Sequence, residues 1–196
     1  MKLTHRRDGR EANRFRRRGR RAVLDPGARV AQRRGMGVEI ERKFLVQRDL
    51  WPGSSVIKAV TFFRQGYLSR ERGRTVRVRR AGDRAFLTIK GESVGLARPE
   101  FEYEIPVGDA ETLLGMCMLP LIEKHRHLVD HEGHTWEVDE FLRANAGLLV
   151  AEIELDRPDE VFARPAWVGE EVTDDRRYLN ANLVEDPFSE WGRGAG

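Results

Sequence analysis

The chain has 196 residues, enough for one domain with a hydrophobic core of its own. No apolar run approaches the roughly 20 residues of a membrane span, so the composition excludes a helical membrane anchor and we expect no membrane partner. Cys117 is the only cysteine, which excludes an internal disulfide and fits a reducing, cytoplasmic location. Because Met116 and Met118 flank it, we interpret Cys117 as a packing residue.

Residues 1–36 form a basic tail. The first 35 residues hold 13 Lys and Arg against 3 Asp and Glu, while the whole chain has a net charge of only +3, so the remainder is net acidic. The tail has few aliphatic residues and no sustained period, which predicts disorder. Three interpretations stay open: translation that starts at Met36, a solvated tail, and an arm that binds nucleic acid non-specifically. For the expected domain, residues 37–190, we expect no nucleic-acid partner.

The rest of the chain alternates between polar and apolar residues in short stretches, which predicts β-strands. The predicted strands cover residues 38–46, 60–69, 75–80, 85–90, 98–107, 121–130, 135–141 and 148–155. Helical spacing predicts helices at residues 109–118 and 159–163, and residues 167–183 read as mixed turn and helix. The predicted fold is mainly β (α+β): an eight-stranded antiparallel β-barrel or strongly curved sheet with a few peripheral helices.

Seven of these strands have one apolar face and one charged face, because alternate residues of a strand point to the same side. Glu39, Glu41 and Lys43 share such a face in the first strand, and Arg77 and Arg79 share one in the third. One interpretation is a sheet whose charged side faces water. The other is a sheet that curls with its charged side inward to form a tunnel. Its apolar outer face would then be covered by helices or by the second subunit of a homodimer.

A charged tunnel suits polyphosphate, because Arg and Lys bind phosphate while hard divalent cations bridge carboxylate and phosphate oxygens. The basic side, which would bind the phosphates, consists of Lys43, Arg77, Arg79, Lys90, Lys124 and Arg126. The acidic side, which would bind metal, consists of Glu39, Glu41, Asp139, Glu152 and Glu154.

The segment Glu39-Ile-Glu-Arg-Lys43 resembles the signature of the CYTH superfamily, also called the triphosphate tunnel metalloenzymes. The resemblance covers about residues 37–185 and leaves out the tail. Eight further segments are similar to this family in the same order: residues 64–68, 76–79, 87–90, 102–105, 122–126, 136–139, 151–155 and 167–172.

The resemblance implies an eight-stranded tunnel barrel and Mg²⁺- or Mn²⁺-dependent hydrolysis of triphosphate groups. It also implies that the acids of the first, seventh and eighth strands hold metal. The short length and the Arg-Gln-Gly-Tyr segment at 64–67 are similar to compact bacterial members that hydrolyse inorganic tripolyphosphate. In some of those the tyrosine matching Tyr67 contacts the signature lysine, although a core or rim aromatic is an alternative for Tyr67. The implied catalytic residues are Glu39, Glu41, Lys43 and Tyr67.

Other functions stay open from the sequence. Within the family, a class IV adenylate cyclase or a thiamine-triphosphatase would bind the triphosphate group of its substrate with the same residues. A non-catalytic polyphosphate-binding module is the alternative of another class, although anion binding alone does not need so many carboxylates. Four histidines between residues 125 and 134 fit no zinc-ligand spacing, so we expect no zinc site.

Overall fold

The structure is a computed structural model and describes residues 40–71, 73–92 and 99–192. The basic tail and Glu39 lie outside the described residues, and so do residues 93–98.

Within these ranges the chain forms nine strands and one α-helix. The strands are β1 (Ile40–Val46), β2 (Ile57–Glu71), β3 (Arg74–Ala81), β4 (Arg84–Gly91), β5 (Glu100–Ile105), β6 (Ile122–His131), β7 (His134–Phe141), β8 (Leu149–Leu155) and β9 (Val168–Glu171). The helix α1 spans Val107–Leu114 between β5 and β6.

All nine strands belong to one antiparallel sheet in the order β5-β4-β3-β2-β6-β7-β8-β1-β9. No pairing joins the edge strands β5 and β9 among the described residues, so the sheet is strongly curved rather than closed. Residues of seven strands nevertheless line one common cavity. The sheet therefore curls around its charged face, and the predicted mainly β tunnel fold is confirmed.

Tight turns place consecutive strands side by side. Between β6 and β7, Glu132 and Gly133 both have positive φ, 47° and 86°, which matches the twist of a two-residue hairpin. Between β3 and β4, Gly82 has a φ of 60°, a conformation that costs glycine little. These turns fix the register and thereby keep the charged side chains of neighbouring strands on one face.

The outer face of the sheet carries two hydrophobic clusters. One packs Phe44, Trp136 and Ile153 against Trp167. In the other, α1 covers Val78 and Ala85 with Ala110 and Leu114. Peripheral segments thus bury part of the apolar side that the strand pattern predicts.

A third cluster lies on the inner face, at one end of the curled sheet. Tyr67, Ile122 and Val150 share strand faces with the charged residues, yet they pack against Leu183 and Val184. Residues 176–191, which we call the C-terminal segment, therefore fill one end of the space inside the curled sheet. We call this end the apolar end.

Three elements differ from the predictions. The ninth strand, β9, lies where the sequence suggested turns and helix, because residues 168–171 pair with the edge of β1. The helix predicted at 159–163 is wrong: Phe162 of this stretch packs against the rings of Phe44 and Trp136, and the chain around it has no helical structure. The other helix starts at Val107 rather than Asp109 and ends at Leu114. None of the helices in the described ranges combines the length and the hydrophobicity that a membrane span requires.

Candidate active site

The inner face of the curled sheet encloses a cavity of about 220 Å³. Strands β1, β2, β3, β4, β6, β7 and β8 contribute to its wall, together with residues 179–181 of the C-terminal segment. All six basic residues predicted from the strand faces lie in this wall. The lining consists of Glu41, Lys43, Gln65, Tyr67, Thr75, Arg77, Arg79, Lys90, Lys124, Arg126, Glu137, Glu152, Leu179, Asn180 and Ala181.

Lys43 lies between two carboxylates on neighbouring strands. Its Nζ donates to Glu41 and to Oε1 of Glu152, the latter at 2.5 Å. Lys43 and Glu152 are directly opposite in the β1–β8 ladder, so the sheet register itself brings them together. Burial raises the pKa of Glu152, but Lys43, Arg126 and Lys124 outweigh it and hold that pKa well below its usual range. The carboxylate is therefore ionised at neutral pH.

A buried aspartate holds two of the cations. Asp139 is fully buried and accepts from Lys124 Nζ and from Arg126, with Arg126 Nε 2.7 Å from Oδ1. Arg126 also donates to Glu152 Oε2 at 2.8 Å, which links this group to Lys43. Burial and the neighbouring Arg126 lower the pKa of Lys124 to about 8, although Asp139 and Glu152 oppose the shift. Lys124 is therefore a cation of the cavity that loses its proton near pH 8.

On the opposite wall a glutamate and a threonine hold two arginines. Glu102 accepts from Arg79 Nη2 at 3.0 Å and lies 3.6 Å from Arg77 Nη2. Thr88, which is fully buried, accepts from Arg77 Nη2 at 3.2 Å and donates to Glu102 Oε2 at 2.8 Å. These contacts fix the two guanidinium groups in the cavity wall before any ligand binds.

The ladder registers place the charged groups along the tunnel. Glu41 pairs with Glu154 at the end opposite the apolar end. Lys43 and Glu152 come next, and Leu45 and Val150 follow at the apolar end itself. Glu41 and Glu154 therefore lie toward one end of the tunnel, and the C-terminal segment covers the other.

The predicted acidic residues take different positions. Glu41 and Glu152 line the cavity. Asp139 lies behind the wall, bonded to Lys124 and Arg126, while Glu154 is exposed and outside the lining. Glu39 lies outside the described residues. Tyr67 lines the cavity at the apolar end, is 4% exposed, and has its hydroxyl 3.4 Å from Gln65 Nε2.

Six lining residues were absent from the predicted set, four of them polar and two, Leu179 and Ala181, apolar. Glu137, Gln65 and Thr75 share strand faces with predicted residues, so the alternation of β7, β2 and β3 could have identified them. Asn180 lies outside any strand, and no periodicity points to it.

The carboxylates of the wall suit a hard divalent cation. Within the described ranges, no cluster of three or more His, Cys, Asp or Glu has the arrangement of a metal site. Mg²⁺ does not require one, because it commonly binds one or two carboxylates and completes its octahedron with water and substrate phosphate oxygens. Glu41 and Glu152, which share Lys43 between them, offer this pair of ligands.

The fold and its lining define a class: an antiparallel β-tunnel protein whose interior is built for polyanions. The CYTH domain family matches residues 37–184, and the chain belongs to this family. It is 51% identical over 154 residues to an inorganic triphosphatase of Acetivibrio thermocellus, which covers 78% of this chain and 97% of that relative. An inorganic triphosphatase of Nitrosomonas europaea is 38% identical over 74% of this chain and 96% of its own length.

Solved structures agree with this assignment. The crystal structure of an inorganic triphosphatase superposes with a TM-score of 0.59 at 34% identity. The match covers 76% of this chain and 95% of that one.

Proposed function

We propose that this protein is a metal-dependent inorganic triphosphatase that hydrolyses tripolyphosphate inside the tunnel. The observation that carries the proposal is the convergence of six cations from four strands on one cavity, with Glu41 and Glu152 in the same wall. The relatives named inorganic triphosphatase support the choice of substrate, since they match the chain over nearly their whole length.

The charge balance of the site favours a metal-bound substrate. The six cations of the wall are paired with six carboxylates, of which Glu41, Glu137 and Glu152 line the cavity and Glu100, Glu102 and Asp139 lie beside it. The formal charge of this set is therefore close to zero. A tripolyphosphate carries several negative charges, so divalent cations that enter with it supply the missing positive charge.

The basic residues of the tunnel contact the substrate from different walls. Arg77, Arg79 and Lys90 bind phosphate oxygens from one wall, and Lys124 and Arg126 bind them from the other. Because carboxylates already orient these groups, little reorganisation is needed when the phosphates bind. The chain thus contributes mainly positioning and charge stabilisation, as expected for phosphoryl transfer.

The reaction centre is proposed at Glu41, Lys43 and Glu152. Glu41 and Glu152 would hold Mg²⁺ or Mn²⁺, which when bound polarises the phosphoryl group and lowers the pKa of bound water. Lys43, once it separates from these carboxylates, would neutralise charge on the transferred phosphoryl group. Tyr67 and Glu39 remain proposed contributors, Tyr67 from its place in the cavity wall.

The size of the cavity argues against a nucleotide as the preferred substrate. Pockets for drug-sized ligands hold about 300–1,000 Å³, whereas this one holds about 220 Å³. An adenylate cyclase would need room for the adenine ring beyond the triphosphate. We therefore favour an inorganic substrate over ATP or thiamine triphosphate.

Phosphate release from tripolyphosphate, ATP and thiamine triphosphate, each with Mg²⁺, Mn²⁺ or EDTA, tests the proposal. We expect release from tripolyphosphate only with a divalent cation, and its loss in Glu41→Gln. Glu140→Gln is the matched control, because this glutamate of β7 lies on the outer face, beside His127. Near-normal turnover in Glu41→Gln, or turnover that persists in EDTA, would refute the assignment.

The proposal extends to the cellular location and the oligomeric state of the protein. A cytoplasmic protein fits the single, buried Cys117. A homodimer fits the outer face of β5, where Phe101 and Tyr103 are 44% and 54% exposed.

A further inference from the structure

The C-terminal segment contributes one polar side chain to the wall of the tunnel. Asn180 lines the cavity, and its Oδ1 is buried without a hydrogen-bond partner among the described residues. Leaving a buried polar atom unpaired is costly, so such an atom in a native protein calls for an explanation. Oδ1 is an acceptor, but a half-turn of the side chain brings Nδ2 to the same place, where it can donate to an oxygen of a ligand in the tunnel.

The backbone around Asn180 is held firmly, so the side-chain amide has a defined position in the cavity wall. Arg70 Nη1 donates to the carbonyl oxygen of Ala181 at 2.8 Å. Leu183 is fully buried in the cluster at the apolar end. Two further backbone bonds close this turn, from the amides of Asn182 and Leu183 to the carbonyl oxygen of Leu179, at 2.8 and 3.0 Å.

The position along the tunnel identifies which part of a substrate the amide meets. Leu179, Asn180 and Ala181 lie at the apolar end, whereas Glu41 and Glu154 lie at the other. A linear triphosphate whose metal-bound phosphoryl group sits near Glu41 and Glu152 extends its far phosphate toward Asn180. An amide offers two N–H donors to phosphate oxygens, and its oxygen and nitrogen exchange places by a half-turn of the side chain.

We propose that Asn180 is a substrate-binding residue that donates a hydrogen bond to the terminal phosphate farthest from the reaction centre. This inference rests on the proposed function for the identity of the ligand. Since this phosphate does not react, the contact strengthens ground state and transition state alike. Its loss therefore raises KM and leaves kcat nearly unchanged.

The experiment compares Asn180→Ala, Asn180→Asp and Asn182→Asp in the full chain. Asn182 is the matched control, because it lies two residues away with its Nδ2 on the carbonyl oxygen of Arg176 at 2.7 Å and does not line the cavity. Calorimetry measures the Kd of tripolyphosphate in EDTA, and steady-state assays with Mg²⁺ measure KM and kcat. Melting curves of all variants establish that they are folded.

We expect Asn180→Ala to raise both Kd and KM by roughly tenfold, the range for a hydrogen bond to a charged group. Asn180→Asp should raise them further, because a carboxylate repels the phosphate, while Asn182→Asp leaves them unchanged. Unaltered or tighter binding by Asn180→Asp would overturn the inference. A wild-type protein that binds tripolyphosphate without hydrolysing it would instead refute the proposed function, and the Kd series would still decide the role of Asn180.

Discussion

Lys43 and Glu152 meet across the β1–β8 ladder with Nζ 2.5 Å from Oε1, at side-chain exposures of only 12% and 10%. A carboxylate and an ammonium group so far from water are costly to separate, because each then keeps its desolvation cost without a partner. In the proposed reaction this pair must open, because Glu152 would hold the divalent cation while Lys43 pairs with a phosphate oxygen.

Glu152→Gln tests this exchange. The glutamine removes one of the carboxylate partners of Lys43 and of Arg126, which keep Glu41 and Asp139, so we expect a destabilisation of about 2 kcal/mol and a loss of kcat of at least ~100-fold. Thermal melting and tripolyphosphate turnover measure the two effects. Glu71→Gln is the control, because Glu71 pairs with Arg74 at the surface, where both side chains are more than 60% exposed. Full activity in Glu152→Gln would contradict the proposed metal ligand.

The pKa of Lys124, about 8, predicts a pH dependence of substrate binding. Above pH 8 the folded protein loses this proton while the unfolded chain, with a pKa of 10.5, keeps it. Stability from this group therefore rises with pH between 8 and 10.5, but the cavity loses a positive charge. We expect the KM for tripolyphosphate to rise from pH 7.5 to 9.5 in the wild type.

Lys124→Met separates this effect from ionisation of the substrate, which both proteins share. The variant should start from a higher KM and show a flatter profile over the same range. If both proteins gave parallel profiles, Lys124 would not be the titrating group.

Thr88→Val probes the arginine pair without altering any charge. The variant removes the hydroxyl that connects Arg77 to Glu102 and leaves both arginines in place. Because Arg77 loses its orientation, we expect KM to rise roughly tenfold while kcat changes less. Thr135→Val removes an exposed hydroxyl that donates to Asp130 and should leave KM unchanged. Equal KM values in the two variants would show that Thr88 does not position Arg77.

Strand alternation predicts the charged strand residues of the cavity wall, but not the residues of the C-terminal segment that complete it. In a ladder with fixed register, residues two apart share a face, so Lys43, Arg77 and Lys124 reach the same side once the sheet curls. Alternation cannot distinguish a residue in the wall from one behind it. Asp139 lies on the same face of β7 as Glu137, yet only Glu137 lines the cavity, because Asp139 is covered by Lys124 and Arg126.

Features that depend on contacts distant in sequence could not be predicted. β9 is a short strand of four residues, Val-Gly-Glu-Glu, which forms through pairing with the free edge of β1. The contribution of Asn180 depends on where Arg70 and the apolar end hold its backbone, and neither is visible in a local pattern.

Gly66 of β2 lies in tight contact with the segment that follows α1. A Cβ at this position would lie 2.6 Å from the Cβ of Cys117 and 2.7 Å from Cδ2 of Leu121. We therefore expect Gly66→Ala to destabilise the protein by about 1–3 kcal/mol through overpacking, with KM unchanged.

Gly108→Ala is the matched control in α1, where an added Cβ meets nothing within 4 Å. There the lower entropy of the unfolded chain should give a small gain in stability. Thermal melting of both variants measures the difference, and equal melting temperatures would contradict the tight contact at Cys117.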